Sequence, residues 1–204
     1  MRVPVVIAIR SHNERHGWWH PNLGMWVVSL AGEQRYQIII RSICGAPNAA
    51  ASANVAADVF LRDHPAAEWL CIVDNDSVPP ANVMRILDDL PEEVAVIGCV
   101  SHMLQHGKTS IQQGWVGSDD RTVDISGDRV RVDILGGGCW FIHRRVFAEM
   151  KPPYFLELYH PQNHMLTVSD DVYFQNKARE LGFKLFCDTR FVISHYHTLD
   201  LASV

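Results

Sequence analysis

The sequence predicts an α/β fold, with a mostly parallel central sheet flanked by helices. Short runs rich in valine and isoleucine alternate along the chain with stretches whose apolar residues recur at helical spacing. Glycines and prolines separate these segments, as they do at the ends of strands and helices. The 204 residues, of which 48% are hydrophobic and 20% charged, are enough for one domain with its own core. We therefore expect a single domain that covers residues 1–204.

Four strands and two helices are predicted in the first half of the chain. The strands are Val3–Ile9, Tyr36–Ile40, Trp69–Val73 and Val94–Val100. An alanine-rich stretch predicts a helix over Ala49–His64, in which Val55 and Val59 lie at helical spacing. Pro79-Pro80 opens a second predicted helix, which Pro91 ends, with a buried stripe of Val83, Ile86, Leu87 and Leu90. Strands that alternate with helices in this way predict parallel neighbours in the sheet.

The second half of the chain is less regular. Gly107–Arg131 is polar and contains several glycines, which predicts loops and a hairpin. Three consecutive glycines, 136–138, lead into a strand within Ile134–His143. Tyr154–Thr167 has no clear period and predicts a mobile loop. The remaining elements are a helix capped by Ser169 that runs to about Leu181 and stops at Gly182, and short strands at Lys184–Cys187 and Phe191–Ser194.

Composition and charge argue against several classes of protein. A net charge of −5 does not suit a protein that coats nucleic acid. No apolar run approaches the roughly 18 residues of a membrane-spanning helix, and the N-terminus lacks a secretory pattern, so we expect neither secretion nor stable membrane insertion. The five cysteines form no CxxC pair, which argues against a cysteine zinc site and predicts reduced thiols in a cytoplasmic protein. They are Cys44, Cys71, Cys99, Cys139 and Cys187.

The strongest local signal is an acidic motif directly after a buried strand. Apolar residues 70–73 run into Asp74, Asn75 and Asp76. Charged carboxylates are unstable inside a sheet without partners, so both aspartates should emerge at the carboxyl end of the strand, where open α/β sheets bind ligands. Two carboxylates at this edge suit Mg²⁺ or Mn²⁺. An Asx-type turn before the helix at Pro80 is the alternative.

Two weaker signals lie near the C-terminus. Asp170 and Asp171 follow Ser169 at a predicted helix start, where acidic residues either take part in chemistry or are simply favoured by the helix dipole. His195 and His197 come after the last predicted strand and share one side if that strand continues. An imidazole there could complete a carboxylate site around Mn²⁺. From these residues alone, a role in chemistry and a purely structural or surface role both stay open.

A second histidine cluster, near the N-terminus, does not predict a metal site. His12, His16 and His20 recur every four residues, but Gly17 and Pro21 interrupt the helix that would align them, so we expect a loop. The tryptophans at 18 and 19 suit either stacking on a base or sugar or packing in the core.

Taken in their order along the chain, these motifs resemble those of the type-A (GT-A) nucleotide-sugar glycosyltransferases, especially the compact family-2-like ones. The motifs are Asp74-Asn75-Asp76 after its strand, Gly136-Gly137-Gly138 before Cys139-Trp140, Asp170-Asp171 at a late helix start, and His195 after the following strand. The resemblance covers nearly the whole chain. It implies a GT-A-like fold, with nucleotide-sugar binding in residues 1–100 and acceptor binding and catalysis in residues 101–204.

The resemblance implies roles for individual residues. Asp76 would ligate the Mn²⁺ or Mg²⁺ that bridges the two phosphates of the donor, and Asp74 would reach the ribose, the metal or a metal-bound water. His195 resembles the C-terminal metal histidine of such enzymes, with His197 as the alternative. Asp171 would be the base of an inverting reaction, beside its acidic partner Asp170. The residues that would hold the nucleotide and the donor sugar are Arg10, Ser11, Asn54, Asn75, Gly137, Gly138 and Trp140.

Two positions depart from the family pattern. Residues 9–13 read Ile-Arg-Ser-His-Asn where the family more usually has a Pro-x-Tyr-Asn style of loop. Asp170 stands where a glutamate is usual and is one methylene shorter.

The resemblance implies transfer of a sugar from a nucleoside-diphosphate-sugar donor to a hydroxyl group. The acceptor could be a protein, a glycan, a small molecule or a modified DNA base. Two other functions stay open: a haloacid-dehalogenase-like phosphatase, in which Asp74 would be the phosphorylated nucleophile, and a non-catalytic nucleotide- or glycan-binding domain. The strands and helix that precede Asp74 argue against the phosphatase, whose nucleophile strand normally opens the domain. No G-x-G-x-x-G follows the first strand, which argues against a dinucleotide-binding dehydrogenase.

Overall fold

The structure is a computed structural model that describes residues 2–11, 21–105, 108–112, 115–116, 121–122 and 128–196. The described strands of the first half are β1 Val3–Arg10, β2 Tyr36–Ile43, β3 Trp69–Asp74, β4 Ser77–Val78 and β5 Val94–Gln105. Those of the second half are β6 Lys108–Gln112, β7 Trp115–Val116, β8 Arg121–Thr122, β9 Arg129–Val132, β10 Cys139–His143, β11 Leu158–Tyr159, β12 Leu166–Val168 and β13 Lys184–His195. The described α-helices are α1 Pro21–Ser29, α2 Ala49–Asp63, α3 Arg144–Glu149 and α4 Asp170–Glu180.

One large sheet organises the molecule. Its described strands follow the order β2-β1-β3-β10-β5-β13-β4, with β6 paired to β5 and β9 paired to β13. β1 is parallel to β2 and β3, and β5 is parallel to β13, while β10 is inserted antiparallel between β3 and β5. As a result, the carboxyl ends of β1, β3 and β13 and the amino end of β10 meet at one edge of the sheet. Both the predicted α/β class and the predicted parallel neighbours are confirmed.

Helices cover both faces of the sheet, because its central strands are apolar on both sides. Along β1, Val6 and Ala8 pack into a core cluster with α2 and α4, whereas Val5, Ile7 and Ile9 pack into a second cluster with α1. The cluster on the α2 side is closed by aromatic side chains that include Phe60, Trp140, Phe155 and Phe174. Burial on both faces explains why the predicted strands are continuous apolar runs and do not alternate with polar residues.

The strand predictions of the first half are confirmed, and β5 extends the predicted Val94–Val100 to Gln105. The helix predicted over Ala49–His64 is α2, which ends one residue earlier. Its buried face consists mainly of alanines together with Phe60, while Val55 is exposed. The predicted stop of the last helix is also confirmed. Gly182 has φ +89 and closes a Schellman-type end, with Phe183 N–H donating to Ala178 C=O at 3.0 Å.

The prediction of an α-helix after Pro79-Pro80 is wrong in the type of helix. The segment Val83–Leu87 forms a short 3₁₀-helix, although Val83, Ile86 and Leu87 are buried as the stripe predicted. Asp88 returns to an extended conformation and Asp89 has φ 53, so too few residues are left for successive α-helical turns.

Other elements differ from the prediction in their boundaries. The two short strands predicted near the C-terminus are one strand, β13, whose register shifts between Asp188 and Val192. The predicted loop Tyr154–Thr167 contains the antiparallel pair β11–β12. Helix α1 was not predicted, although Pro21 at its first position and the spacing of Leu23, Trp26 and Leu30 are signals for it. In the part of the chain that the structure describes, no helix is long and apolar enough to cross a membrane.

Candidate active site

Most of the predicted site residues converge where β1, β3 and β13 end and β10 begins. Main-chain hydrogen bonds join these segments: Asp74 N–H donates to Gly138 C=O at 3.2 Å, and Asn75 N–H donates to Arg10 C=O at 3.1 Å. The side chain of Asn75 also donates to Ser11 Oγ at 3.4 Å. The acidic motif therefore leaves β3 at a fixed position between the ends of two neighbouring strands.

Arg10 lies at the centre of a buried ionic cluster. Its Nε donates to Asp74 Oδ1, and its Nη1 donates to Asp170 Oδ2 at 2.5 Å and to Ala49 C=O at 3.3 Å. Burial alone would lower the pKa of Arg10, but the charges of Asp74 and Asp170 outweigh it and raise that pKa above its ordinary value. Arg10 is thus a fixed cation between two carboxylates, and its predicted contact with the nucleotide stays a prediction.

Asp76 and His195 are brought together by the pairing of β4 with β13. Ser77 lies opposite His195 in this antiparallel pair, and Tyr196 N–H donates to Asp76 C=O at 2.8 Å. His195 Nε2 consequently lies 3.3 Å from Asp76 Oδ2. Ser77 Oγ lies 3.4 Å from Asp76 Oδ1. The Asp76 side chain is 46% exposed, so it is accessible to a ligand.

The two donors at this position suit a divalent cation. Two ligands bound at right angles to one ion, each about 2.1 Å from it, lie about 3 Å apart, which is close to the separation of His195 Nε2 and Asp76 Oδ2. A mixed nitrogen and oxygen donor set favours Mn²⁺ over Mg²⁺. Among the described residues, no group of three or more His, Cys, Asp or Glu side chains could hold a metal ion. By itself the pair could therefore hold a cation only together with further oxygen ligands, such as phosphate oxygens and water.

Asp171 is held in a defined orientation at the start of α4. Its Oδ1 accepts hydrogen bonds from Ser169 Oγ and, at 2.8 Å, from Val172 N–H. Its Oδ2 faces Gly137, where an added Cβ would lie only 3.0 Å away. Burial raises the pKa of Asp171 above its ordinary value, which the hydrogen bond from Ser169 opposes and the charge of Asp170 reinforces. A half-buried carboxylate with a raised pKa and one fixed oxygen is suited to accept a proton.

Ser169 has a different role from the predicted one. The sequence predicts a helix cap, but its hydroxyl makes no capping bond to the backbone and donates to Asp171 instead. A serine two residues before an aspartate is too common a pattern to predict the hydrogen bond between Ser169 and Asp171.

Two of the predicted binding residues have structural roles. The Asn54 amide donates to Ala50 C=O at 2.8 Å and to Phe155 C=O at 2.7 Å, and it accepts from Tyr154 N–H at 3.0 Å and Phe155 N–H at 3.2 Å. These hydrogen bonds fasten residues 154–155 to α2. They do not support the predicted contact of Asn54 with the nucleotide, which stays a prediction.

Trp140 is fully buried in the core cluster beside α4, with its ring edge-on to those of Phe155 and Phe174. The predicted contact between this side chain and a substrate stays a prediction, which its complete burial does not support. Strand β10 is covered on both faces, so a large aromatic side chain on it points into the core.

The remaining predicted positions divide into two groups. Gly138 lies in close packing, since an added Cβ would meet Ile193 Cδ1 at 2.4 Å and Ser77 Oγ at 2.9 Å, and Ser11 is buried with its N–H bonded to Ile43 C=O at 2.9 Å. The other group lies outside the described residues and comprises His12, His16, Trp18, Trp19, His20 and His197.

No protein-family model matches the sequence, and neither does any curated protein. Solved structures do match. A197 from STIV is 18% identical, with a TM-score of 0.66 over 97% of this chain and 87% of that one. GalNAc-T7, solved with UDP, GalNAc and Mn²⁺, is 14% identical, with a TM-score of 0.57 over 98% of this chain. This chain spans only 45% of the length of GalNAc-T7.

A further match is a mutant Drosophila β1,4-galactosyltransferase 7 in complex with manganese, UDP-Gal and xylobiose. It is 13% identical, with a TM-score of 0.52 over 96% of this chain and 71% of that one. UDP-glucose pyrophosphorylase, solved with UDP-glucose, matches with the same TM-score at 8% identity, over 96% and 93% of the two chains. The chain therefore has the GT-A fold, which glycosyltransferases and nucleotidyltransferases share.

Proposed function

We propose that this protein is a metal-dependent glycosyltransferase that moves a sugar from a nucleoside-diphosphate-sugar donor to a hydroxyl acceptor. The observation that carries the proposal is the approach of His195 to Asp76, at the same sheet edge as Asp171. The GT-A fold supports the proposal, because two of the structures that match this chain were solved with manganese and either UDP or UDP-Gal.

Asp76 and His195 are the residues that would hold Mn²⁺ or Mg²⁺. A divalent ion bound there offsets the negative charge that develops on a departing diphosphate, without requiring a proton. The diphosphate can supply the oxygen ligands that the pair lacks. Asn75 lies next to this position and is the neighbouring polar group for the rest of the nucleotide, and its side chain donates to the buried Ser11.

Asp171 is the proposed general base. As the acceptor oxygen bonds to the anomeric carbon, its proton passes to Asp171 Oδ2, and the bond from the anomeric carbon to the diphosphate breaks with its electron pair on the diphosphate. Attack on the face opposite the leaving group inverts the anomeric carbon, and a positioned base of this kind contributes about 10²–10⁴-fold to the rate. Ser169 and the N–H of Val172 hold Oδ1, which leaves Oδ2 for the acceptor.

The phosphatase alternative is disfavoured by the place of Asp74 in the chain. The nucleophile strand of such phosphatases normally opens the domain, whereas strands β1 and β2 and helices α1 and α2 precede β3, which ends at Asp74. The binding-domain alternative differs from the proposal in turnover alone, so an assay separates the two.

A thermal-shift panel of nucleotide sugars with and without Mn²⁺ tests the proposal. A donor at 100 times its Kd stabilises the folded state by about 2.7 kcal/mol, which corresponds to a rise in Tm of about 5–10 °C for a chain of this size. We expect one class of donor to give this rise only with Mn²⁺, and to release its nucleoside diphosphate when a hydroxyl acceptor is added. Stabilisation without any release would identify a binding domain. Release of pyrophosphate from a nucleoside triphosphate and a sugar phosphate would identify a nucleotidyltransferase.

A further inference from the structure

The site contains two acidic pairs, and Arg10 binds one member of each. In the first pair, Asp74 is bound to Arg10 Nε while Asp76 faces His195. In the second pair, Asp170 is bound to Arg10 Nη1 while Asp171 faces Gly137. In each pair, therefore, one carboxylate binds the arginine, and the other is the residue to which the proposed function assigns a role, as metal ligand or as general base.

We propose that Arg10 is a positioning residue that holds the metal-binding motif at the end of β3 and the general base at the start of α4 in one geometry. This inference rests on the proposed function and adds to it. Sequence resemblance assigns Arg10 to the nucleotide, whereas its contacts assign it to the two acidic pairs. Arg10 would act on the reaction through Asp76 and Asp171, without contact with the transferred sugar being required.

Burial makes this arrangement rigid. Arg10 is 3% exposed and Asp170 is 5% exposed, so neither charge is stable without the other. The planar guanidinium has donors in a fixed fork, which lets one side chain fix the direction of two carboxylates at once. A lysine could keep the charge at this position but could not hold both partners in the same way.

Arg10 also borders the space in which Asp171 would act. A Cβ added at Gly137 would lie 3.0 Å from Asp171 Oδ2 and 3.6 Å from Arg10 Nη2, so both groups line the same gap. Among the residues that the structure describes, the charged groups that act on Asp171 are Arg10 and Asp170. The positive charge of Arg10 lowers the pKa of Asp171 against the effects of burial and of Asp170. Arg10 thus influences both the orientation and the ionisation of the proposed base.

The test compares Arg10→Lys and Arg10→Met with the wild-type chain. We expect Arg10→Lys to lower kcat by about 100-fold, the cost of a small misplacement of reacting groups, while the donor still stabilises the protein in Mn²⁺. We expect Arg10→Met to raise the pKa of Asp171, measured by ¹³C NMR titration of its carboxyl group, which needs no turnover. Should Arg10→Met fail to fold, a kcat loss in folded Arg10→Lys still tests the proposal.

Arg144→Met is the matched control. Arg144 donates to Ala67 C=O at 2.6 Å, Phe60 C=O at 3.0 Å and His64 C=O at 2.6 Å, away from both acidic pairs. Its removal should lower Tm without changing the Asp171 titration. If the wild type is active, two results would each overturn this inference without affecting the proposed function. One is an unchanged kcat in Arg10→Lys, and the other is an Asp171 pKa in Arg10→Met equal to that of the wild type. A wild type that transfers no sugar would overturn the proposed function.

Discussion

His195 Nε2 lies 3.3 Å from Asp76 Oδ2, although the two residues are 119 positions apart in the sequence. The contact depends on the short pairing of β4 with β13, which places Ser77 opposite His195. A carboxylate and an imidazole at this distance suit one shared cation. The expectation that these two residues share a site, drawn from the order of motifs along the chain, thus has a structural basis in two strands.

Removal of either partner should weaken donor binding. We expect Asp76→Ala and His195→Ala each to lower the Mn²⁺-dependent affinity for a nucleoside diphosphate by at least about 10–100-fold, the usual effect of disturbing a metal site. Isothermal titration with and without Mn²⁺ measures this. Asp58→Ala, an exposed carboxylate on α2, is the control and should bind normally. Unchanged affinity in both variants would remove the pair from the metal site.

Loss of the proposed base should separate transfer from binding. We expect Asp171→Asn to lower kcat by about 10²–10⁴-fold, because Asn cannot accept the proton. Its Oδ1 can still accept the bonds from Ser169 and Val172, so the Mn²⁺-dependent donor affinity should stay within a factor of two or so of the wild type. Initial-rate kinetics and titration calorimetry on the same preparations measure both. Transfer at the normal rate would show that Asp171 only contributes charge to the start of α4.

The same substitution should stabilise the fold at neutral pH. The pKa of Asp171 is raised in the folded state, so its stabilising effect is present below the unfolded pKa of about 3.9 and is lost as pH rises through the folded pKa. At pH 7 the buried charge is unfavourable, and Asp171→Asn removes it. We expect urea denaturation to give Asp171→Asn the greater stability at pH 7, by about 0.5–2 kcal/mol, with a smaller difference at pH 4. An equal or lower stability at pH 7 would contradict the assigned burial of this charge.

The location of the site follows from elementary rules. Apolar runs buried on both faces identify parallel strands, and carboxylates that end such a run must lie at the sheet edge. This placed Asp74 and Asp76 correctly. The strand that follows glycines 136–138 was predicted, but their position at the same edge depends on the antiparallel direction of β10, which was not predicted.

The partners within the site could not be predicted in the same way. A sequence shows that Arg10 follows an apolar strand, but the choice of a nucleotide or two aspartates as its partner depends on where α4 packs. Asn54 and Trp140 show the same limit, since a polar residue on a helix and an aromatic residue near glycines fit both binding and packing roles. Local patterns identify which groups need partners, and only the tertiary arrangement supplies them.

The two glycines before β10 should respond differently to substitution by alanine. At Gly137 the added Cβ would meet Asp171 Oδ2 at 3.0 Å. This contact would rotate the carboxylate of the proposed base and leave the core intact. At Gly138 the added Cβ would meet Ile193 Cδ1 at 2.4 Å, inside the core. We therefore expect Gly137→Ala to lower kcat with little change in Tm, and Gly138→Ala to lower stability by about 1–3 kcal/mol. Paired kinetics and thermal denaturation measure this, and the reverse order of effects would contradict the assigned contacts.

Asn54 should prove structural. Asn54→Ala removes the amide that pairs the main chain of Tyr154 and Phe155, and it leaves those part-buried groups without these partners. We expect a loss of about 1–3 kcal/mol, seen as a fall in Tm of about 2–12 °C, with unchanged nucleotide affinity. Val55→Ala, at an exposed neighbouring position on α2, controls for substitution in this helix and should shift Tm little. An unchanged Tm in Asn54→Ala would show that the hydrogen bonds to residues 154–155 contribute little to folding. If the variant also bound nucleotide more weakly, the amide would be a ligand contact, as the sequence resemblance implies.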